Sequence, residues 1–114
     1  MACLELFAGI GGMSLGLQRA GFEHVAMIEY DAKCIETLKK NDFKHVIHAD
    51  VKTVDFTDFR GVDLVAGGVP CQPFSVGGKS RGESDQRNVW PETIRAVREC
   101  RPKCFLFENS NAMA

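Results

Sequence analysis

The sequence lacks several features that mark common functional classes. No run of eighteen or more residues is free of charged side chains, so no segment is expected to cross a membrane as a helix. Residues 1–5 have neither the basic region nor the cleavage site of a secretory signal peptide. The five cysteines are odd in number and form no CxxC pair, which argues against a disulfide scaffold. We therefore expect an intracellular protein with reduced thiols.

The chain also has no excess of charge of one sign. Its 14 basic residues nearly balance its 15 acidic residues, and the isoelectric point is about 6.3. Domains that bind nucleic acid over a whole face are usually strongly basic, so any such contact is expected to be local. With 114 residues, 45% of them apolar, the sequence accounts for one globular domain at most.

Metal-binding patterns are likewise incomplete. His45 and His48 form an HxxH pair, but no spacing typical of zinc ligands joins them to the CxxxC pair of Cys100 and Cys104. We expect no metal site, and we expect these histidines and His24 to be solvated. Four cysteines lie in or beside apolar segments and are expected to be buried and unreactive: Cys3, Cys34, Cys100 and Cys104.

Short apolar runs alternate with amphipathic segments along the chain. The pattern predicts five strands, over 3–7, 25–28, 46–49, 63–66 and 104–107, and three helices, over 13–20, 31–41 and 91–101. The segment 53–61 is too irregular to assign beyond a loop with a possible helical turn. Strands separated by helices predict an α/β fold with a parallel sheet, and ligands of such sheets bind beyond the carboxyl ends of the strands.

A glycine turn follows the first predicted strand. Glycines at 9, 11 and 12 would let a ligand approach the backbone, and Glu29 lies twenty residues after Gly9, the separation at which an acid accepts hydrogen bonds from a ribose. The pattern departs from GxGxxG because the third glycine directly follows the second, which favours a nucleoside such as S-adenosylmethionine over a dinucleotide. A tight turn beside a solvated Glu29 is the alternative. Asp50, after the third strand, could accept from an adenine amino group or simply cap a helix.

Two further groups end predicted strands at the same edge. Cys71 follows the fourth strand, at the mouth of the glycine-rich loop 75–88, where a thiol is positioned to act as a nucleophile. Glu108 ends the fifth strand, and burial there would raise the pKa of its carboxyl so that it could donate a proton near neutral pH.

Three segments in order, residues 7–12 (FAGIGG), 70–75 (PCQPFS) and 108–109 (EN), closely resemble the cytosine-5 methyltransferase family. The resemblance spans residues 4–109 and includes Glu29, Asp50 and the stretch 85–87 before the helix that contains Glu92 and Arg95. It implies a Rossmann-like methyltransferase core that binds S-adenosylmethionine, with the ribose on Glu29. Trp90 stands where the family usually has a leucine beside the cofactor. The implied cofactor-binding residues are Phe7, Ala8, Gly9, Ile10, Gly11, Gly12, Glu29, Tyr30, Asp50, Val51 and Trp90.

The resemblance also implies the chemistry. Cys71 would attack C6 of a cytosine flipped out of duplex DNA, and Glu108 would hold or protonate N3 while C5 takes the methyl group. Gln72, Ser75 and Asn109 would line the base pocket or contact the substrate strand. A protein with this activity is expected in the cytoplasm, associated with the nucleoid if it is bacterial.

The chain departs from the family by omission. It has no arginine-rich motif after residues 108–109, no target-recognition domain and no C-terminal segment to complete the cofactor pocket. Residues 1–114 are therefore interpreted as part of a catalytic domain that is truncated after about the fifth strand. We expect this chain to be inactive alone and to gain activity with a complementary C-terminal polypeptide. Three alternatives stay open: a cytosine-5 methyltransferase acting on tRNA, a non-catalytic cofactor-binding or assembly subunit, and a nicotinamide-dependent oxidoreductase.

Overall fold

Short apolar runs form the strands of a single sheet in the computed structural model, which describes residues 1–70 and 89–109. All strand pairs are parallel. The predicted α/β fold with a parallel sheet is confirmed. The five strands are β1 (Ala2–Leu6), β2 (Glu23–Glu29), β3 (Val46–His48), β4 (Leu64–Gly68) and β5 (Cys104–Glu108).

The strand order is β3-β2-β1-β4-β5. From β1 the chain first moves outward through β2 and β3, and it then returns to the other side of β1 with β4 and β5. This reversal lies between β1 and β4, and open α/β sheets bind ligands in the crevice outside the carboxyl ends at such a point. Gly67 makes the approach of these two strands possible, since a Cβ there would lie 2.5 Å from the carbonyl oxygen of Leu6.

Three helices pack on the sheet: α1 (Gly12–Arg19), α2 (Ala32–Lys40) and α3 (Trp90–Cys100). Gly21, with a φ of 94°, terminates α1 through hydrogen bonds from its own amide to Gln18 and from the Phe22 amide to Leu17. Asp31 caps α2 by accepting from the amides of residues 33 and 34. Both ends agree with the sequence prediction.

The segment between β3 and β4 forms two 3-10 turns, Val51–Thr53 and Phe56–Phe59. The possible helical turn in this irregular stretch is therefore confirmed, although its first part begins two residues before position 53. Val51 and Phe56 are buried in the core, so these turns belong to the packed structure.

Side chains cover the two faces of the sheet with separate apolar clusters. On one face, Leu4 and Leu6 of β1 pack with Val65 of β4 and with Ala96 of α3. On the other face, Cys3 and Ala66 pack with Leu17 of α1, while Met27 packs with Leu38 of α2. Burial on both faces explains why these strands read as almost continuous apolar runs.

Candidate functional site

The turn after β1 adopts backbone conformations that few residues tolerate. Phe7, Gly9 and Gly11 have φ values of 56°, 59° and 101°. Glycine takes such values freely, whereas a phenylalanine there is strained, and strain of this kind is concentrated at binding sites. A Cβ at Gly11 would also lie 2.8 Å from the ring of Phe43. The turn therefore requires glycine at position 11 for both its dihedral angle and its space.

Glu29, at the end of β2, fastens this turn to the neighbouring strand. Its Oε1 accepts a hydrogen bond from the Gly9 amide at 2.7 Å, and its Oε2 accepts from the amides of Tyr30 at 2.9 Å and Asp31 at 2.7 Å. The alternative interpretation, in which Glu29 is solvated beside an independent turn, is therefore wrong. An ionised carboxylate has about four acceptor positions, which leaves one for a ligand hydroxyl.

Asp50 and Tyr30 lie on the other side of the same opening. The Asp50 carboxylate accepts from the Lys52 amide at 3.0 Å and thereby caps the first 3-10 turn, as the alternative interpretation of this residue predicted. Tyr30 is exposed and packs edge-on against His48, whose Nε2 lies 2.7 Å from the Tyr30 carbonyl oxygen. These contacts give the opening an aromatic rim and an acidic wall.

A cavity of about 350 Å³ lies between these elements at the carboxyl ends of the strands. Five of the predicted cofactor-binding residues line it together: Phe7, Glu29, Tyr30, Asp50 and Val51. The other five predicted residues of the glycine turn form the adjoining backbone; Ala8 is buried beneath it and Ile10 is exposed. Five further residues line the cavity and were not predicted from the sequence, although most of them lie at or just beyond the carboxyl ends of strands: Ile28, Ala49, Lys52, Pro70 and Val89.

Trp90 lies elsewhere. It packs edge-on against Phe107, with ring centroids 6.3 Å apart, and lines a second cavity of about 450 Å³ between α3 and β5. Its side chain is directed there because Trp90 opens α3, whereas Val89, one residue earlier, lines the first cavity. In this structure Trp90 and the five grouped residues therefore line different cavities.

Glu108 ends β5 beside the end of β4. Its Oε1 lies 3.3 Å from where a Cβ on Gly68 would be, and its carbonyl oxygen accepts from the Val69 amide at 2.9 Å. The Asn109 side chain donates to the Val69 carbonyl oxygen. Glu108 is exposed among the described residues, whereas the sequence predicted that it would be buried.

Three predicted site residues lie outside the described residues: Cys71, Gln72 and Ser75. The described chain nevertheless reaches Pro70, which lines the first cavity. Position 71 therefore directly follows a residue of the cofactor-sized cavity, and Val69 is hydrogen-bonded to Glu108.

His24 was expected to be solvated, and this expectation is wrong. Its side chain is 3% exposed, and its Nε2 lies 2.7 Å from Oε1 of Glu5, which is 1% exposed. The register of β1 with β2 shifts after the Cys3–His24 pair, so that Val25 is an extra residue and His24 faces α1 with Glu5. Burial lowers the pKa of His24, but Cys3 and Glu5 together raise it to about 9.

The cysteines other than Cys71 differ among themselves. Cys3 and Cys100 are buried, and burial raises the pKa of the Cys100 thiol to about 11, which makes it unreactive as predicted. Cys34 is half-buried. Cys104 is exposed, contrary to the prediction, because β5 is an edge strand whose outward positions are uncovered in the described chain.

Within residues 1–70 and 89–109, no cluster of three or more His, Cys, Asp or Glu side chains has the arrangement of a metal site. No helix in that part of the chain has the length and apolar character needed to span a membrane.

Comparison with known proteins gives a consistent result. The family model for C-5 cytosine-specific DNA methylase matches residues 1–114. The chain is 48% identical to the Type II methyltransferase M.NgoMIV of Neisseria gonorrhoeae over 93% of its own length and 34% of that protein. It is 49% identical to M.Eco47II of Escherichia coli, a Type II methyltransferase, over 93% of its own length and 26% of that protein.

A solved structure has the same fold. The crystal structure of the S. pombe Dnmt2 methyltransferase superposes with a TM-score of 0.75 at 25% identity and covers 97% of this chain and 36% of that one. The chain therefore spans about a quarter to a third of the length of the two curated relatives and a similar share of this structure.

Proposed function

The chain belongs to the family of C-5 cytosine-specific DNA methylases, and on this premise we propose that residues 1–114 form part of a catalytic domain that methylates C5 of cytosine in DNA. Family membership implies S-adenosylmethionine as the methyl donor. The observation that carries the proposal is the first cavity, where Phe7, Glu29, Tyr30, Asp50 and Val51 converge at the switch point of the sheet.

The residues around this cavity fit a nucleoside cofactor. Its volume of about 350 Å³ lies within the range of small-molecule sites. Ala49 and Val89 supply apolar surface for a flat base, and Glu29 keeps one acceptor position for a ribose hydroxyl. When bound, S-adenosylmethionine supplies an electrophilic methyl group on a positively charged sulfur, a charge that the acidic wall would favour.

Cys71 and Glu108 would perform the chemistry on the base. The Cys71 thiolate would form a bond to C6 while the π pair of the C5–C6 bond shifts to C4–C5. The π pair of the C4–N3 bond would move onto N3, which takes a proton from Glu108. C5 thereby becomes nucleophilic and would take the methyl group, while the donor sulfur would keep the bonding pair and leave as a neutral thioether. Transfer of the C5 proton to solvent would then expel the thiolate and restore the C5–C6 double bond, and the N3 proton would return to Glu108. Because C6 is a weak electrophile, both the soft nucleophile and the acid at N3 are needed.

The proposed enzyme needs more chain than these residues supply. Phe105 and Leu106 of β5 are 61% and 52% exposed, on opposite faces of the sheet, and Ile94 of α3 is 53% exposed. Strands of parallel sheets are normally covered on both faces. We propose that a complementary C-terminal polypeptide covers β5 and α3 and encloses Glu108, and that the isolated chain is catalytically inactive.

Calorimetric titration of the chain with S-adenosylmethionine tests the cofactor site. We expect binding by the wild type and its loss in Glu29→Ala, because that change removes both the ribose acceptor and the bonds that hold Gly9. Glu23→Ala, at the exposed opposite end of the same strand, is the matched control and should bind normally. Failure of the folded wild type to bind would mean that this site is incomplete without additional chain.

Methyl transfer by the chain mixed with the complementary polypeptide tests the substrate. We expect transfer to cytosine in duplex DNA, which would also agree with the proposed cytoplasmic, nucleoid-associated location. Transfer to tRNA alone would contradict the DNA proposal. Unchanged inactivity of the mixture would contradict complementation and favour a cofactor-binding or assembly role.

A further inference from the structure

The wall of the first cavity formed by residues 50–52 has little regular structure to hold it. It belongs to the 3-10 turn Val51–Thr53, which lies after the edge strand β3. Yet Val51 is 5% exposed and Phe56, at the start of the next turn, is completely buried. Local caps by Asp50 and Asp55 order each turn internally, but they do not attach the segment to the sheet. Besides the burial of Val51 and Phe56, a residue more than forty positions away bonds two of its carbonyl oxygens.

That residue is Arg95 of α3. Its Nη2 donates to the Val51 carbonyl oxygen at 2.8 Å, and its Nη1 donates to the Val54 carbonyl oxygen at 2.7 Å. Its guanidinium carbon lies 4.6 Å from the centroid of the Phe56 ring. Hydrogen bonds from an ionised donor are about twice as strong as neutral ones. One side chain therefore binds both turns at once.

Two carboxylates complete this arrangement. Glu92 accepts from Nε of Arg95 at 2.8 Å, and Glu99 lies 3.3 Å from its Nη1. Glu99 also accepts from the Phe56 amide at 3.0 Å. The side chains of Arg95, Glu92 and Glu99 are each less than a third exposed, so these pairs are partly shielded from water. The carboxylates fix the plane of the guanidinium, and this plane sets the direction of both carbonyl contacts.

We propose that Arg95 is a positioning residue for the cofactor cavity: it holds the Asp50–Val51 wall in place without lining the cavity itself. The inference rests on the proposed function for the identity of the ligand, a nucleoside cofactor. Val89, the residue immediately before α3, lines the same cavity, so the start of this helix contacts one part of the wall while Arg95 secures another.

The geometry explains why arginine is needed at this position. A planar guanidinium donates along several fixed directions while it stacks on an aromatic ring, whereas a lysine ammonium is a compact charge that cannot meet both carbonyls and the ring. Arg95→Lys should therefore restore part of the function. Arg95→Met keeps an apolar stem over Phe56 but leaves both carbonyl oxygens without this donor.

The test compares cofactor affinity with stability in the 114-residue chain. S-adenosylmethionine is titrated into Arg95→Met and Arg95→Lys under conditions where each is folded by circular dichroism. We expect Arg95→Met to bind about tenfold more weakly or worse, and Arg95→Lys to lie between it and the wild type. Arg19→Met, an exposed arginine of α1, controls for charge and should bind as the wild type does.

Leu64→Ala controls for loss of stability alone. Leu64 is buried on the opposite face, at the end of β4 away from the cavity, so this variant should be less stable but bind normally when folded. Wild-type affinity in Arg95→Met, or equal weakening in Arg95→Met and Leu64→Ala, would overturn the proposal.

Hydrogen–deuterium exchange separates this proposal from the proposed function. The Val54 and Phe56 amides are bonded within the segment and to Glu99, and they should exchange faster in Arg95→Met than in Leu64→Ala. Equal exchange in the two variants would overturn the role of Arg95 whether or not cofactor binds. If the wild type does not bind cofactor but these amides exchange faster in Arg95→Met, the cofactor site of the isolated chain fails while the role of Arg95 in holding the wall stands.

Discussion

The β1–β2 half and the β4–β5 half of the sheet differ in how well the residues at the carboxyl ends of their strands are packed and hydrogen-bonded. On the β1–β2 side, the Glu29 carboxylate is bonded to three backbone amides and the glycine turn is closely packed. On the β4–β5 side, Glu108 is exposed and apolar side chains of β5 face solvent on both faces. We infer that residues 1–70 form most of the proposed cofactor site, whereas the proposed base-reacting site is incomplete among the described residues.

The largest expected effect acts on the β4–β5 side alone. Cys71→Ser should abolish covalent trapping on DNA that contains 5-fluorocytosine, because a hydroxyl is far less nucleophilic than a thiolate. Trapping is measured by denaturing electrophoresis of the complemented enzyme, and cofactor affinity by calorimetry should be almost unchanged. A mutant that traps as well as the wild type would reject Cys71 as the nucleophile.

A single added methyl group in the turn after β1 should lower the stability of the fold. Gly11→Ala should destabilise the fold by about 2–4 kcal/mol, because it combines a positive φ with a contact on the Phe43 ring. Gly16→Ala is the matched control in α1, where a Cβ meets no atom within 4 Å and helix propensity should raise stability by about 0.5–1 kcal/mol. Urea unfolding of both variants should give changes of opposite sign, and a shared sign would show that the turn is not constrained as described.

The buried Glu5–His24 pair makes the stability of the β1–β2 side depend on pH. The folded-state pKa of His24, about 9, exceeds the unfolded value of 6.5, so the stabilisation is fully present below pH 6.5 and is lost as the pH rises through 9. We expect a contribution of about 3 kcal/mol.

Urea unfolding between pH 6 and pH 10 measures this contribution as the difference between wild type and His24→Gln. The difference should shrink as the pH rises from 6.5 to 9 and should be small and nearly constant above pH 9. His48→Gln, which changes an exposed histidine, should retain the wild-type profile. A difference that is constant with pH would mean that the His24 imidazole is not charged in the folded state.

The smallest effect on stability is expected at β5. Phe105→Thr should change the stability of the isolated chain by less than about 0.5 kcal/mol, since the side chain is 61% exposed and threonine suits a strand. It should nevertheless weaken complementation by the C-terminal polypeptide, measured as recovered methyl transfer. Ile47→Thr on the opposite edge strand β3 is the control and should complement normally. Normal complementation by Phe105→Thr would remove β5 from the proposed docking surface.

Elements set by short-range pattern were predictable from the sequence. Gly21 and Asp31 terminate and begin helices through contacts within a few residues, and both were assigned correctly. The grouping of Glu29 and Asp50 around one opening follows from the rule that parallel strands bring their carboxyl ends together.

Features that depend on distant partners were not predictable. The burial of His24 requires the extra residue Val25 in β2 and an acid on β1, neither of which hydrophobic periodicity detects. The two 3-10 turns are contacted by Arg95, which is 41 and 44 positions from its carbonyl partners. The exposure of Glu108 depends on whether other parts of the protein pack against β5, and the residues around position 108 do not indicate this.

The strand order also has a kinetic meaning during synthesis on the ribosome. β1, β2 and β3 are neighbours in the sheet in the order in which they are translated. Their pairing therefore needs only contacts between residues about twenty positions apart in the chain. Nascent chains fold from the N-terminus onward, and short-range contacts form fastest. A three-stranded nucleus bearing the glycine turn and Glu29 can therefore assemble before Leu64 leaves the exit tunnel. β4 then completes it by pairing with the edge of β1 that was left open.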